Sequence, residues 1–296
     1  MKVESKVRNN VENAVKELKN RFSSRLISII QIGSSLRPKE MFPNSDLDFI
    51  LITKYKPKES FSSINSEFET DILVYSQYQF KRLLKNGYPL ALMAIKFGKI
   101  KFNKNFKFYS EAKPTGLTFK TWIDNSLNVF NSAIMEYFSG SCACCYLKDV
   151  HHSARSLLRA YILRNKGVFC ESDLDILKNI PKNYGRMFEK LIDYRQNLNN
   201  FPFDFMKLHK TKEIKGRSAK PLLILELLIH NLIYELKRKK MYSLREIIGG
   251  IKEPYNHICS INFPNKLNQY IVSLVLNNPP RKNIQNYNPK IKLLEF

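Results

Sequence analysis

The chain has 296 residues, of which 44% are hydrophobic and 25% are charged. It is therefore long enough for about two domains and apolar enough for a folded core. These proportions exclude a disordered or collagen-like chain. No apolar run approaches the roughly 20 residues of a membrane span, and Met1–Lys6 lacks the apolar stretch of a secretory signal. We expect a soluble, cytoplasmic protein with no membrane partner.

The chain is strongly basic, with 49 Lys and Arg residues against 26 Asp and Glu residues and a formal net charge of +23. A positive field of this size attracts polyanions such as RNA, DNA and nucleotides. A Lys- and Asn-rich composition imposed by an AT-rich genome explains the same charge equally well. The charge alone therefore does not establish nucleic-acid binding.

The first 110 residues alternate between helical and strand patterns. Short β-branched runs predict buried strands, and apolar residues at helical spacing predict amphipathic helices. The predicted elements are a helix over residues 4–22, strands over 26–32, 47–53 and 69–74, and helices over 77–85 and 89–97. Strands separated by helices within one such segment predict an α/β domain with a mixed sheet.

The rest of the chain reads as long helices. The predicted helices cover residues 119–138, 144–165, 173–196 (interrupted near Pro181) and 217–239, with a further short element at 271–276. Long helices with short connections predict an all-α bundle. The predicted domains are an α/β domain over 1–115, a helical bundle over 116–248 and a C-terminal extension over 249–296.

The chemistry is concentrated where two of the predicted strands meet polar residues. The first strand ends at Gly33-Ser34, and the second begins with Asp46-Leu47-Asp48. Side chains alternate along a strand, so Asp46 and Asp48 point to the same side. Two carboxylates on one face repel each other unless a cation lies between them, and Mg²⁺ prefers such oxygen ligands. A turn with solvated aspartates is the structural alternative.

The third predicted strand supplies another acid. Ile72 and Val74 are expected to face the core, which places Asp71 and Glu69 on the other side. If this strand lies beside the Asp46–Asp48 strand, Asp71 reaches the same metal ions and can serve as general base for an incoming hydroxyl. Glu69 is the weaker candidate, because it comes earlier and is expected to be solvated.

The segment after the first strand is a candidate phosphate cradle. Gly33 allows the backbone to approach a phosphate closely. The residues that follow are expected to start a helix, with Ser35 as its N-cap, and exposed N–H groups at such a start bind phosphate. The Ser34 hydroxyl adds a donor, and the planar fork of Arg37 can reach phosphate oxygens.

These motifs resemble those of the DNA polymerase beta nucleotidyltransferase superfamily, in its minimal nucleotidyltransferase form. Gly33–Arg37 is similar to the start of the family signature, and Ser45–Asp48 is similar to its paired-acid motif. Thr70–Val74 is similar to the strand with the third acid, and Pro89–Ile100 to the helix that ends such domains. The resemblance covers about residues 25–110. One departure is Pro38, where the minimal enzymes usually carry Gly, and it leaves the loop geometry open.

The helical part weakly resembles a HEPN bundle, through the stretch Asp149–Arg164. Ribonucleases of that family carry an Arg five to seven residues before a His. No His in this chain has such an Arg, which argues against ribonuclease chemistry. The bundle is instead expected to orient a substrate or a partner.

The resemblance implies transfer of a nucleoside monophosphate from an NTP, most simply ATP, to an acceptor hydroxyl with release of pyrophosphate. Asp46, Asp48 and Asp71 would hold two Mg²⁺ ions, with Mn²⁺ as the alternative ion, and carry the catalysis. The same resemblance implies that Gly33, Ser34 and Arg37 bind the nucleotide.

The acceptor can be RNA, a protein side chain or a small molecule. The net charge of +23 slightly favours RNA or another polyanion. Homo-oligomerisation is also open. The alternative function is a non-catalytic nucleotide-sensing or partner-binding module of a toxin–antitoxin-like system.

Overall fold

The computed structural model describes residues 3–38, 41, 45–55, 68–108, 112–139, 143–197 and 220–237. The strands within this part are β1 (Leu26–Ile32), β2 (Leu47–Thr53), β3 (Thr70–Ser76) and β4 (Lys99–Asn103). The helices are α1 (Val3–Phe22), α2 (Gln77–Lys85), α3 (Pro89–Phe97), α4 (Gly116–Ser139), α5 (Ala143–Lys166), α6 (Asp173–Asn179), α7 (Lys182–Asn197) and α8 (Lys220–Lys237). The predicted extension over 249–296, with its element at 271–276, lies outside the described residues.

The four strands form one mixed sheet in the order β3-β2-β1-β4. Strand β1 is antiparallel to both β2 and β4, whereas β2 and β3 are parallel. The prediction of an α/β part with a mixed sheet is confirmed. Strand β4 was not predicted, because five residues with two lysines give little β-propensity signal.

The sheet is covered on both faces by apolar side chains. On one face, α1 packs against alternate residues of β1 and β2, with Leu47, Phe49 and Leu51 fully buried. On the other face, α2 and α3 pack against the intervening residues, including Ile50 and Ile52. Because both faces are buried, the register of β2 is fixed by its hydrophobic pattern.

The helical part agrees with the predicted helices, including the interruption at Pro181. Helix α6 ends at Asn179, and Ile180 adopts an extended backbone with φ −100° and ψ 156°. A residue before proline is sterically excluded from the helical region, so the chain breaks there before α7 begins.

The chain divides into two compact units that are not consecutive in sequence. The first comprises residues 1–124 and 158–180, and the second comprises residues 125–157 and 181–296. Helices α4 and α5 each contribute residues to both units. The boundaries predicted from the sequence at 115/116 and 248/249 stay predictions.

A buried histidine links two helices of the second unit. His151 on α5 is fully buried and stacks on Phe188 of α7, with ring centroids 5.5 Å apart. Its Nδ1 atom is 2.7 Å from Nη1 of Arg195, whose guanidinium can only donate, so Nδ1 is the acceptor. Burial, with the charge of Arg195 next in importance, lowers the pKa of His152 well below its usual value. Its burial, its stacking on Phe188 and its hydrogen bond with Arg195 give His151 a structural role.

None of the helices in the described part of the chain has the combined length and apolarity that crossing a bilayer requires.

Glu226 on α8 makes the stability of the second unit pH-dependent. Its side chain is buried, and burial raises the pKa of Glu226 well above its ordinary value. In the unfolded chain the pKa of a Glu carboxyl is about 4.3. Above that pH the folded protein keeps a proton that the unfolded chain loses. The free energy of unfolding therefore falls as the pH rises from the unfolded pKa toward the folded pKa. We expect Glu226→Gln to be more stable relative to wild type at pH 7.5 than at pH 4.5.

Thermal unfolding midpoints of the two proteins at both pH values test this expectation. Glu189→Gln removes an exposed carboxylate from α7 and is the matched control. A difference between wild type and Glu226→Gln that stays the same at both pH values would contradict the burial of an uncharged Glu226.

Candidate active site

The sheet topology brings three aspartates together. Strands β2 and β3 are parallel with Asp48 opposite Asp71, so the two N-terminal strand ends lie side by side. Asp46 comes directly before β2. One carboxylate oxygen from each residue lies within 4.8 Å of the other two. Asp46 and Asp48 are half-buried, and Asp71 is exposed.

Three carboxylates at this spacing favour the binding of a positive charge. Two unit charges 4.8 Å apart repel by about 3 kcal/mol at an effective dielectric constant near 20. A divalent cation would offset that repulsion, and the three carboxylate oxygens are close enough to one another to bind the same ion. Carboxylate oxygens are hard ligands of the type that Mg²⁺ and Mn²⁺ take. The donor set therefore fits a divalent metal ion.

Gly33 allows the carboxylate of Asp48 to lie where it does. Strand β1 pairs Ile32 with Asp48, so the residue that follows Ile32 is at the same end of the sheet. A Cβ atom on residue 33 would lie 2.0 Å from Oδ2 of Asp48, and φ is +77° at this position. Both the close approach and the left-handed backbone require glycine.

The turn after Gly33 differs from the expected helix start. Ser34–Leu36 is a single 3-10 turn whose N-cap is Gly33, so the prediction of Ser35 as N-cap is wrong. The Ser35 side chain is buried instead: its hydroxyl donates to the carbonyl of Ile32 at 3.2 Å and accepts from Nε2 of Gln31 at 2.9 Å. The two bonds pair the Gln31 side-chain amide and the Ile32 carbonyl at the buried end of β1. If the Ser35 hydroxyl capped a helix instead, these buried groups would lose that partner.

Ser34 and Arg37 lie on the same short turn. Ser34 is half-buried, and its carbonyl accepts a hydrogen bond from the Arg37 amide at 2.8 Å. The Arg37 guanidinium forms an ion pair with Glu171, which lies between α5 and α6 in the same compact unit. No local sequence signal points to Glu171, because its partner is distant along the chain.

Glu69 is not one of the three carboxylates that come together. Its side chain is exposed, while its carbonyl accepts a hydrogen bond from the Leu47 amide at 2.8 Å. Its backbone thus joins the beginning of β2 to the segment before β3. Ile72 and Val74 pack against the α1 face, as predicted from the alternation of β3.

Two solved structures are similar to the chain. A spectinomycin adenyltransferase, AAD(9), from Enterococcus faecialis, solved with ATP and spectinomycin, has a TM-score of 0.46 and 14% identity, covering 76% of this chain and 98% of its own. A nucleotidyltransferase-like protein from Exiguobacterium sibiricum 255-15 has a TM-score of 0.32 and 15% identity, covering 93% of this chain and 91% of its own. Neither bears on the HEPN resemblance, which stays a prediction.

No protein-family model matches the chain, and a comparison with curated proteins found no significant match. Because neither TM-score reaches 0.5, the interpretation of the site depends on its own geometry.

The contact between Gly33 and Asp48 generates a prediction about metal binding. In Gly33→Ala the new methyl group displaces the Asp48 carboxylate and strains the backbone. We expect the affinity for Mn²⁺ to fall by about tenfold to a hundredfold, as when the support of a metal ligand is lost. Titration of Mn²⁺ followed by electron paramagnetic resonance measures this affinity.

Gly116→Ala is the matched control, because no atom lies within 4 Å of the Cβ position at Gly116. This variant should bind Mn²⁺ like wild type. A folded Gly33→Ala protein with unchanged Mn²⁺ affinity would contradict the role given to Gly33.

Proposed function

We propose that this protein is a metal-dependent nucleotidyltransferase, which transfers a nucleoside monophosphate from an NTP, most simply ATP, to an acceptor hydroxyl. The observation that carries the proposal is the convergence of Asp46, Asp48 and Asp71 at the end of β1 where Gly33 begins a tight turn. This arrangement combines a hard-cation donor set with backbone that a phosphate can approach.

The aspartates would hold one or two Mg²⁺ or Mn²⁺ ions, which would offset the charge that develops on the attacking and leaving oxygens. Asp46 and Asp48, which are half-buried, would serve as metal ligands. Asp71 is exposed, so it can also pass a proton to water. Gly33, Ser34 and Arg37 would bind the β- and γ-phosphates of the nucleotide.

The reaction is an in-line displacement at the α-phosphorus. The acceptor oxygen forms a new bond to phosphorus, and the bond to the bridging oxygen of the β-phosphate breaks. Pyrophosphate leaves with that electron pair. The acceptor proton passes to the Asp71 carboxylate and then to solvent.

The acceptor class is proposed from charge. A net charge of +23 favours a polyanionic acceptor such as RNA over a neutral small molecule. Transfer to a protein side chain or to a small molecule would use the same three aspartates, so the acceptor must be found by experiment.

The proposed function makes two predictions, and the first is loss of transfer in the aspartate variants. Purified protein is incubated with Mg²⁺ and each α-³²P-labelled NTP, in the presence of cellular RNA, the protein itself or a panel of small hydroxylated molecules. Asp46→Asn and Asp48→Asn should each lower the rate by about a thousandfold, because the metal supplies several kcal/mol of transition-state stabilisation.

Glu69→Gln removes a nearby carboxylate that is not one of the three, and it should retain most of the activity. Transfer that survives in Asp46→Asn and Asp48→Asn would refute the proposed mechanism. An NTP that binds without transfer to any acceptor would favour the alternative of a nucleotide-sensing or partner-binding module.

A second prediction concerns salt. If RNA is the acceptor, its binding should weaken steeply as salt rises, with log affinity falling linearly with log salt concentration. Filter binding of labelled RNA at several KCl concentrations measures the slope. Binding that does not change with salt would argue against a polyanionic acceptor.

A further inference from the structure

The Arg37 side chain is tied to a second segment of the first compact unit. Its Nη1 atom forms an ion pair with Oε1 of Glu171. The two side chains retain only 22% and 15% of their solvent exposure. A pair this far removed from water is less screened than a surface ion pair and restricts the guanidinium more strongly.

Glu171 is itself held in place through its backbone. Its carbonyl accepts a hydrogen bond from Nη2 of Arg159, a buried side chain on α5. Its amide donates to Oδ2 of Asp175 at 3.3 Å, and the same carboxylate caps α6 through the Ser172 amide at 3.0 Å. The carboxylate of Glu171 therefore projects from a fixed stretch of chain.

Aromatic packing anchors the same stretch. Phe169 lies against Trp122 of α4 with ring centroids 4.8 Å apart, and against Phe97 of α3 at 6.1 Å. The Lys96 ammonium lies 5.3 Å from the centre of the Phe169 ring. Segment 167–172 is thus fixed to helices that pack around the sheet, and Glu171 extends from it to the turn after Gly33.

We propose that Glu171 is a positioning residue for the nucleotide site and that it acts through Arg37. This inference rests on the proposed function, in which Arg37 binds a phosphate of the NTP. Arginine loses much rotamer freedom when it binds a ligand, and an anchored carboxylate restricts that freedom before the ligand arrives. Glu171 therefore lowers the entropic cost of nucleotide binding and is not itself a ligand of the nucleotide.

The test measures binding of α,β-methylene-ATP with Mg²⁺ by calorimetry, which requires no knowledge of the acceptor. Glu171→Gln keeps the size of the side chain but loses its charge. We expect its dissociation constant to rise by about fivefold to tenfold, within the range that freezing one side chain contributes. Glu171→Asp keeps the charge and should bind more tightly than Glu171→Gln.

A double-mutant cycle separates positioning from a general structural effect. Arg37→Ala should weaken binding by itself, and Glu171→Gln should add nothing in that background, because the two residues act as one unit. An effect of Glu171→Gln that persists at full size in Arg37→Ala would overturn the inference. So would wild-type affinity in a folded Glu171→Gln protein.

Asp124→Asn is the control for loss of an ion pair. It removes the partner of Lys120 on the exposed surface of α4, in the same compact unit, and should leave the affinity unchanged. Thermal midpoints are recorded for every variant. If Glu171→Gln does not fold, Glu171→Asp takes its place in the cycle. Its affinity for the analogue is then compared with that of wild type, both with Arg37 intact and in the Arg37→Ala background.

The two proposals fail in different ways. A wild-type protein that neither binds the analogue nor transfers label from any NTP would overturn the proposed function. A wild-type protein that binds the analogue, together with a Glu171→Gln variant of equal affinity, would overturn only the positioning role.

Discussion

The contact between Asp48 and the backbone of Gly33 is the constraint on which the candidate site depends. Any residue other than glycine at position 33 would place a Cβ atom 2.0 Å from a carboxylate oxygen of Asp48, so the carboxylate would have to move. Gly33 also makes the left-handed turn that leads to Ser34 and Arg37. Asp71 is in register with Asp48 on the neighbouring strand, so strand pairing brings the third acid to the same end of the sheet.

The packing of the sheet holds that contact in register. Every residue of β2 except Asp48 is buried. Leu47, Phe49 and Leu51 pack in the cluster with α1, and Ile50 and Ile52 pack in the cluster with α2 and α3. A slip of one residue would exchange the two sets and bury the carboxylate in an apolar layer. The apolar residues of β2 thus determine where its one acidic side chain emerges.

Local patterns account for much of what the sequence predicted. The bounds of β1 and β2 follow from short β-branched runs, and the face of Asp71 follows from Ile72 and Val74. The pairing of Arg37 with Glu171 could not be predicted, because a contact between distant segments leaves no local periodicity. The burial of the Ser35 side chain was not predicted either. The side chain that orients it belongs to Gln31, and nothing in the strand pattern marks Gln31 as its partner.

The charges around the site link metal binding to nucleotide binding in the proposed reaction. A triphosphate is attracted by a chain of net charge +23, yet three carboxylates at the site repel it. The charge of Arg37 is already offset by Glu171, so this arginine alone cannot reverse the local sign. A divalent cation on the aspartates can, because it replaces repulsion by attraction for the phosphates. Binding of metal and nucleotide should therefore be coupled, each increasing the affinity for the other.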